Sequence, residues 1–416
     1  MPSPMTSGTN SSRRPGNVKH RKNQVMAGRK STYNYNVRHR SRRFRWLLEG
    51  LALLFALLLI LCAYAGKIDP GSFFPAPFLT LAYMPMLLLL ALFLVLVLLF
   101  RRWLAALILV AAFVATLPVF GMYVPLNSED QLPPMPTESK SLLKVMTYNV
   151  LCFNYNEASA DQGPSATMAL ILEADPDVVL LQEGGAAGIE WEEIPSLKPH
   201  MTKVRAKYPY TFTSPEGLNI LSKYPFKTQA LGEPDETRSV LGYNREMKAY
   251  LARAYDLSLP SGKQLRLIDF RLQSYHLQFG KSQNVRISPD IKPAPLERMR
   301  RSFALRGGDA SVIRRAIDES PGNVIVCGDM NDVTTSNVYR IIRGDDMSDA
   351  WIEVGYGYAP TFNRYHLPFR IDHILYRGQL QALKAERLEG GSSDHYPLMA
   401  TFDIDTSHDS AKSNNQ

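Results

Sequence analysis

Three long apolar runs dominate the first third of the chain. They cover residues 46–65, 78–100 and 103–124; the first contains one charged residue, Glu49, and the other two contain none. An apolar run of about 20 residues is long enough to cross a hydrocarbon core of about 30 Å at roughly 1.5 Å per residue. The pattern therefore predicts three transmembrane helices within residues 46–124, with a lipid bilayer as the partner that covers them.

The pattern changes at residue 142, where strand-like runs begin to alternate with amphipathic segments. Residues 125–141, rich in proline and polar residues, predict a linker, and residues 406–416 predict a disordered tail. Helices are predicted around Met168 and Ile171 and over residues 295–318. Strands are predicted at residues 142–149, 177–182, 218–222, 250–257, 264–272, 323–327, 371–375 and 399–404. Residues 142–405 thus predict a layered domain that mixes sheet and helix.

The formal net charge of +8 does not describe the folded part of the chain. Residues 1–45 hold twelve of the 47 Lys and Arg residues and none of the 39 Asp and Glu residues, so the remainder is slightly acidic. This composition predicts a disordered basic tail that is attracted to anionic lipid; a tail that binds nucleic acid is the alternative. The acidic balance of the remainder does not favour a face built for duplex DNA.

The distribution of basic residues predicts the orientation in the membrane. The basic tail stays in the cytoplasm, Arg101 and Arg102 form an inside turn, and the third apolar run leaves the cytoplasm again. The protein is therefore expected to be a multi-pass protein of the cell membrane with residues 142–405 on the extracytoplasmic side. If the second and third runs form one broken helix instead, this domain lies on the opposite side.

The three cysteines, Cys62, Cys152 and Cys327, form neither a disulfide framework nor a zinc-binding pattern. Their positions in or beside apolar runs favour small buried hydrophobic residues. A disulfide between Cys152 and Cys327 is the alternative.

Most of the candidate chemistry lies where predicted strands end. Four of five short motifs follow predicted strands, so their acid, amide and imidazole groups are expected to meet in one pocket. Such groups suit a hard divalent cation and a phosphate. The five motifs are Tyr148-Asn149, Gln182-Glu183, Tyr275-His276-Leu277, Gly328-Asp329-Met330-Asn331 and Ser393-Asp394-His395.

In their order and spacing these motifs resemble the endonuclease/exonuclease/phosphatase family of metal-dependent phosphoesterases, over roughly residues 142–405. The resemblance implies an α+β fold, a four-layer α-β-β-α sandwich with its site at one end of two sheets. Here that sandwich is preceded by three transmembrane helices. The resemblance also implies Mg²⁺ or Mn²⁺ as the cofactor.

The resemblance implies a role for each site residue. Glu183 is expected to be the main metal ligand, with Asn149 and Asp394 completing the metal shell. Asp329 is expected to orient or deprotonate the attacking water, Asn331 to hold a phosphate oxygen, and His276 to donate to the phosphoryl oxygens or the leaving group. His395 is expected to be the general base or a transition-state stabiliser, held by Asp372.

Neighbouring polar residues are given other roles. His373 is expected to pack rather than to catalyse, and Asn219 to bind phosphate or to be structural. A solvated helix face is predicted for Arg298, Arg300, Arg301 and Arg306.

The substrate is predicted only as a class. Nuclease action is favoured because it is widespread in the family the motifs resemble, which makes nucleic acid the first candidate among phosphodiester substrates. A phospholipid or sphingolipid phosphodiesterase, or another phosphomonoesterase, is the alternative. A catalytically inactive membrane receptor or scaffold is the alternative of another class. Protein partners, oligomeric state and the number of metal ions stay open.

Overall fold

The computed structural model describes residues 44–128, 130, 132–135, 141–154, 163–185, 191–233, 250–274, 295–363 and 368–405. Three apolar helices come first: α1 (Phe44–Lys67), α2 (Ala76–Leu99) and α3 (Trp103–Tyr123). By length and composition, each of them could cross a membrane. The predicted tail at residues 406–416, and the predicted basic tail up to residue 43, lie outside the described residues.

Twelve strands in the described part of the chain form two six-stranded sheets. In spatial order, the first sheet contains β11 (Gln381–Arg387), β12 (Leu398–Asp403), β1 (Leu142–Asn149), β2 (Val178–Gln182), β4 (Asn219–Ser222) and β3 (Tyr210–Phe212). The second contains β5 (Phe226–Leu231), β6 (Ala252–Ser258), β7 (Gln264–Arg271), β8 (Asn323–Asp329), β10 (Asp372–Arg377) and β9 (Ser348–Asp349).

Alternation along the strands sends neighbouring side chains into different layers. In β1, Val145 enters the core between the sheets, whereas Met146 packs in the cluster that holds the first helical layer. In β8, Cys327 enters the core between the sheets, whereas Val326 packs in the cluster of the other helical layer. The predicted α-β-β-α sandwich and its fold class are therefore confirmed. Its helices are α4 (Ala166–Ala174), α5 (Met201–Lys207), α6 (Pro295–Asp318), α7 (Asn337–Arg343) and α8 (Ala350–Val354).

Strand direction decides where the polar motifs lie. β1 runs parallel to β2, and β7 runs parallel to β8, so the carboxyl ends within each pair are neighbours. β10 runs antiparallel to β8, which places Asp372 at its start directly opposite Asp329 at the end of β8. Residues from distant parts of the sequence therefore meet at these strand ends.

Candidate active site

One buried amide joins the two sheets at the strand ends. Asn149, the last residue of β1, donates from Nδ2 to Glu183 Oε1 at 3.1 Å and to Asp329 Oδ2 at 3.1 Å. Asn149 and Asp329 are both buried. The structure thus brings together a predicted metal ligand from one sheet and a predicted catalytic acid from the other.

Glu183 is held as a carboxylate beside the half-buried guanidinium of Arg271. It follows β2 with a φ of 52° and lies 2.7 Å from Nη2 of Arg271, the last residue of β7. Burial alone would raise the pKa of Glu183, but the charge of Arg271 and the hydrogen bond from Asn149 hold that pKa below its usual value. Arg271 was not predicted as a site residue, although its place at a strand end was an available signal.

Asp329 is oriented by the residue two positions later in the chain. The backbone N–H of Asn331 donates to Asp329 Oδ1 at 2.8 Å, and Asn331 Nδ2 donates to Asp329 Oδ2 at 2.8 Å. Burial, and then the charge of Asp372, raise the pKa of Asp329 to about 6. A Cβ at position 328 would clash with the carbonyl oxygen of Phe270, so the approach of β7 to β8 just before this acid requires Gly328.

His395 and Asp372 form a buried pair. His395 Nδ1 lies 2.8 Å from Asp372 Oδ2, and both residues are at most 5 % exposed. Burial alone would lower the pKa of His395, but the charge and hydrogen bond of Asp372 raise it to about 10. Near neutral pH the ring is therefore an imidazolium, which fits stabilisation of negative charge better than it fits a general base.

The donor set fits a hard divalent cation. Carboxylate oxygens of Asp329 and Asp372 lie within 4.8 Å of one another and of a ring nitrogen of His395; because that ring is protonated near neutral pH, the two carboxylates are the groups that can bind a cation. Oδ1 of Asp372 is buried and has no hydrogen-bond partner among the described residues. A cation among these oxygens would satisfy that acceptor and relieve the repulsion between the two carboxylates.

Two predicted site residues are less closely tied to this group. Asp394 is half-buried, its backbone carbonyl accepts from the N–H of Asn363 at 3.0 Å, and its charge helps to raise the pKa of His395. Its role as a metal ligand stays a prediction. His276 lies outside the described residues, so its predicted role as a donor also stays a prediction.

Among the other polar residues, His373 and Arg300 lie where predicted and Arg306 does not, whereas the side chains of Arg298 and Arg301 lie outside the described part of the structure. His373 is buried, with Nδ1 3.2 Å from Asp349 Oδ2 and its ring against Tyr339, which is consistent with its predicted packing role. Arg300 is exposed, as predicted. The prediction is wrong for Arg306, which is wholly buried, donates to the carbonyl of Gln273 at 3.0 Å and pairs with Asp332 at 3.5 Å.

The cysteines are all free and buried. Cys152 and Cys327 therefore form no disulfide. Burial raises the pKa of both thiols, which leaves them protonated at neutral pH.

Several solved structures are similar to this chain at low sequence identity. An endonuclease/exonuclease/phosphatase from Beutenbergia cavernae is 18% identical over 64% of this chain and 72% of that chain, with a TM-score of 0.42. A second from Bacteroides vulgatus is 16% identical over 64% of this chain and 100% of that chain, with a TM-score of 0.43. The human Nocturnin catalytic domain with bound sulfate is 18% identical over 63% of this chain and 94% of that chain, with a TM-score of 0.40.

Family models match both parts of the chain. A model for a domain of unknown function matches residues 44–123, which are the three apolar helices. No curated protein matches the chain. The model of the endonuclease/exonuclease/phosphatase family matches residues 146–395, more than half of the chain, and covers every site residue named above. The chain therefore belongs to the endonuclease/exonuclease/phosphatase family, whose members are hydrolases that act on phosphoester bonds.

Proposed function

We propose that the protein is a membrane-anchored phosphodiester hydrolase that depends on Mg²⁺ or Mn²⁺, with nuclease activity as the first candidate. The observation that carries this proposal is the buried group of Asp329, Asp372 and His395, joined to Glu183 through Asn149. This group combines three carboxylates, of which Asp329 can accept a proton while Glu183 and Asp372 bind a cation, with an imidazolium at the strand ends.

The residues suggest how the hydrolysis runs. A cation held by Glu183, with Asn149, Asp394 and Oδ1 of Asp372, would supply positive charge to the phosphoryl and leaving oxygens. Asp329, a carboxylate above a pH of about 6, accepts a proton from the attacking water as the new O–P bond forms. The His395 imidazolium donates to a phosphoryl oxygen as the bond to the leaving oxygen breaks.

Membrane anchoring is supported by the faces of the apolar helices. Leu88, Leu92 and Leu99 of α2 are 72%, 68% and 75% exposed. Rows of exposed leucine side chains are costly in water and favourable in hydrocarbon. A helix also pairs its own backbone N–H and C=O groups, as a segment in hydrocarbon must. The orientation predicted from the basic residues places the active site outside the cytoplasm.

A topology reporter tests this orientation. An enzyme reporter that is active only outside the cytoplasm, fused after Gln416, should be active, and one that is active only inside should be silent. The same reporters fused after Arg101 serve as the matched control and should give the reverse pattern. Activity inside for the fusion after Gln416 would exclude the three-span orientation.

A substrate panel tests the activity. The full-length protein in detergent, supplied with Mg²⁺, should nick plasmid DNA, and EDTA should abolish the nicking until Mg²⁺ is restored. Single-stranded RNA, sphingomyelin vesicles and bis-p-nitrophenyl phosphate complete the panel. Lipid cleavage without nicking would replace the nuclease with a lipid phosphodiesterase. Bound metal with no turnover of any substrate would favour the receptor or scaffold.

A further inference from the structure

The ends of the apolar helices belong to the same compact unit as the active site. Leu59–Met86 and Val114–Gln416 form one unit, which contains the last turns of α1, the start of α2, the end of α3 and the phosphoesterase domain. The chain that leaves α3 is bonded directly to this domain: Asn127 Nδ2 donates to the carbonyls of Ile352 and Gly355 at 3.0 and 2.8 Å. These helix ends are therefore packed against the domain rather than joined to it by a free tether.

The first contact is with residues 332–336, the loop that follows Asn331, and with the start of α7 behind it. The carbonyl of Gly66, at the end of α1, accepts from Asn337 Nδ2 and Arg340 Nη1, both at 3.3 Å. A Cβ on Gly66 would clash with the backbone carbonyl of Thr335, so only glycine permits this approach. The hydroxyl of Tyr123, at the end of α3, lies 2.8 Å from Oγ1 of Thr335.

This loop is short and buried. Thr334, Thr335 and Ser336 are at most 6 % exposed, and Ser336 caps α7 by accepting from the N–H of Tyr339 at 3.1 Å. Thr335 lies four positions after Asn331, so their Cα atoms are at most about 14 Å apart even in a fully extended chain. A shift of the helix ends would therefore reach the residue that orients Asp329.

The second contact runs through a wholly buried arginine. Arg370 donates from Nη2 to the carbonyl of Met122 in α3 at 2.9 Å and from Nη1 to Asp349 Oδ2 at 3.1 Å. It lies two residues before Asp372, and the carbonyl of Ile371 between them accepts from the N–H of Met330 at 2.9 Å. One planar guanidinium thus ties α3 to the start of the strand that carries Asp372.

We propose that Gly66, Tyr123 and Arg370 are positioning residues, through which the ends of α1 and α3 hold Asn331 and Asp372 in their catalytic geometry. The helices are then part of the active-site scaffold as well as a membrane anchor. This inference rests on the proposed phosphodiester hydrolysis only for its kinetic test. A separate structural test needs no substrate.

The kinetic test compares two glycine substitutions in the apolar helices. Gly66→Ala should lower kcat on bis-p-nitrophenyl phosphate by about 10- to 100-fold with KM little changed, because small misplacements of reacting groups cost rate. Gly121→Ala in α3 is the matched control, since its Cβ would meet nothing within 4 Å, and it should keep the wild-type kcat. An unchanged kcat in Gly66→Ala would overturn the proposal, as would an equal loss in both variants.

The structural test uses hydrogen–deuterium exchange of the full-length protein in nanodiscs. Arg370→Lys keeps the charge, but one ammonium cannot span both Asp349 and the Met122 carbonyl. Exchange should rise in peptides covering residues 329–336 and 371–375, whereas the control Arg266→Lys, at a surface pair with Asp256, should leave them unchanged. Two outcomes would overturn the positioning role: increased exchange throughout the protein, or unchanged exchange in these two peptides. Both can be read even if the wild-type protein cleaves no phosphodiester.

Discussion

Replacing Glu183 with glutamine should lower kcat for phosphodiester hydrolysis by about 10³-fold. A metal ion contributes several kcal/mol of transition-state stabilisation, and about 4 kcal/mol corresponds to about 10³-fold in rate. The amide removes the negative charge that binds the cation and leaves the half-buried Arg271 without its partner. Steady-state kinetics and calorimetric titration with Mg²⁺ measure the two losses, and the metal affinity should fall together with the rate.

The matched control is Asp177, which precedes β2, whereas Glu183 follows it. Asp177 pairs with Lys223 at 3.0 Å and accepts from the N–H of Lys144 at 2.8 Å. Its side chain is 18 % exposed, against 13 % for that of Glu183. Asp177→Asn should therefore lose stability but keep turnover and metal affinity. Full metal-dependent turnover in Glu183→Gln would remove Glu183 from the metal site.

Replacing His395 with alanine should lower kcat by about 10²- to 10³-fold, the usual cost of removing one donor that stabilises transition-state charge. KM should change little, because the imidazolium acts on charge that develops during the reaction. Circular dichroism and the melting temperature check that the variant is folded. A variant that is folded and fully active would exclude His395 from the chemistry.

Asp372→Asn tests the same role through the pH profile. In the wild type the pKa of His395 is raised to about 10, so the imidazolium persists below that pH and is lost as the pH rises through it. Without the charge of Asp372, burial lowers this pKa, and the alkaline limb of the rate profile should move to lower pH. Asp256→Asn, which breaks a surface pair with Arg266, should leave that limb in place.

Buried elements could be predicted closely from the sequence. β1 and α6 have the predicted bounds because each presents an uninterrupted pattern to the core, of apolar strand residues in one case and a long amphipathic period in the other. β5 was missed because Lys227, Thr228 and Gln229 are exposed there, which leaves no apolar run to detect. β3 and β9 are too short, at three and two residues, to show any period.

The site residues also divide into those that a local pattern predicts and those that depend on distant parts of the chain. Residues that end apolar strands could be predicted, since the strand marks where its end must lie. The burial of Arg306 could not, because this arginine is accommodated only by an acid from another part of the chain, Asp332. The contact of Gly66 with Thr335 also left no local signal, because nearly 270 residues separate its two partners.

The backbone is strained at two residues of the site, Glu183 and Asn331. Both residues have a left-handed φ, of 52° and 48°, which costs about 1 kcal/mol or more for a side chain that is not glycine. Glycine would adopt the same backbone without strain, but it would remove the carboxylate at one position and the amide that orients Asp329 at the other. The strain at these two positions is therefore carried together with the groups that turnover needs, and the ion pair of Glu183 and the hydrogen bonds of Asn331 hold it in place.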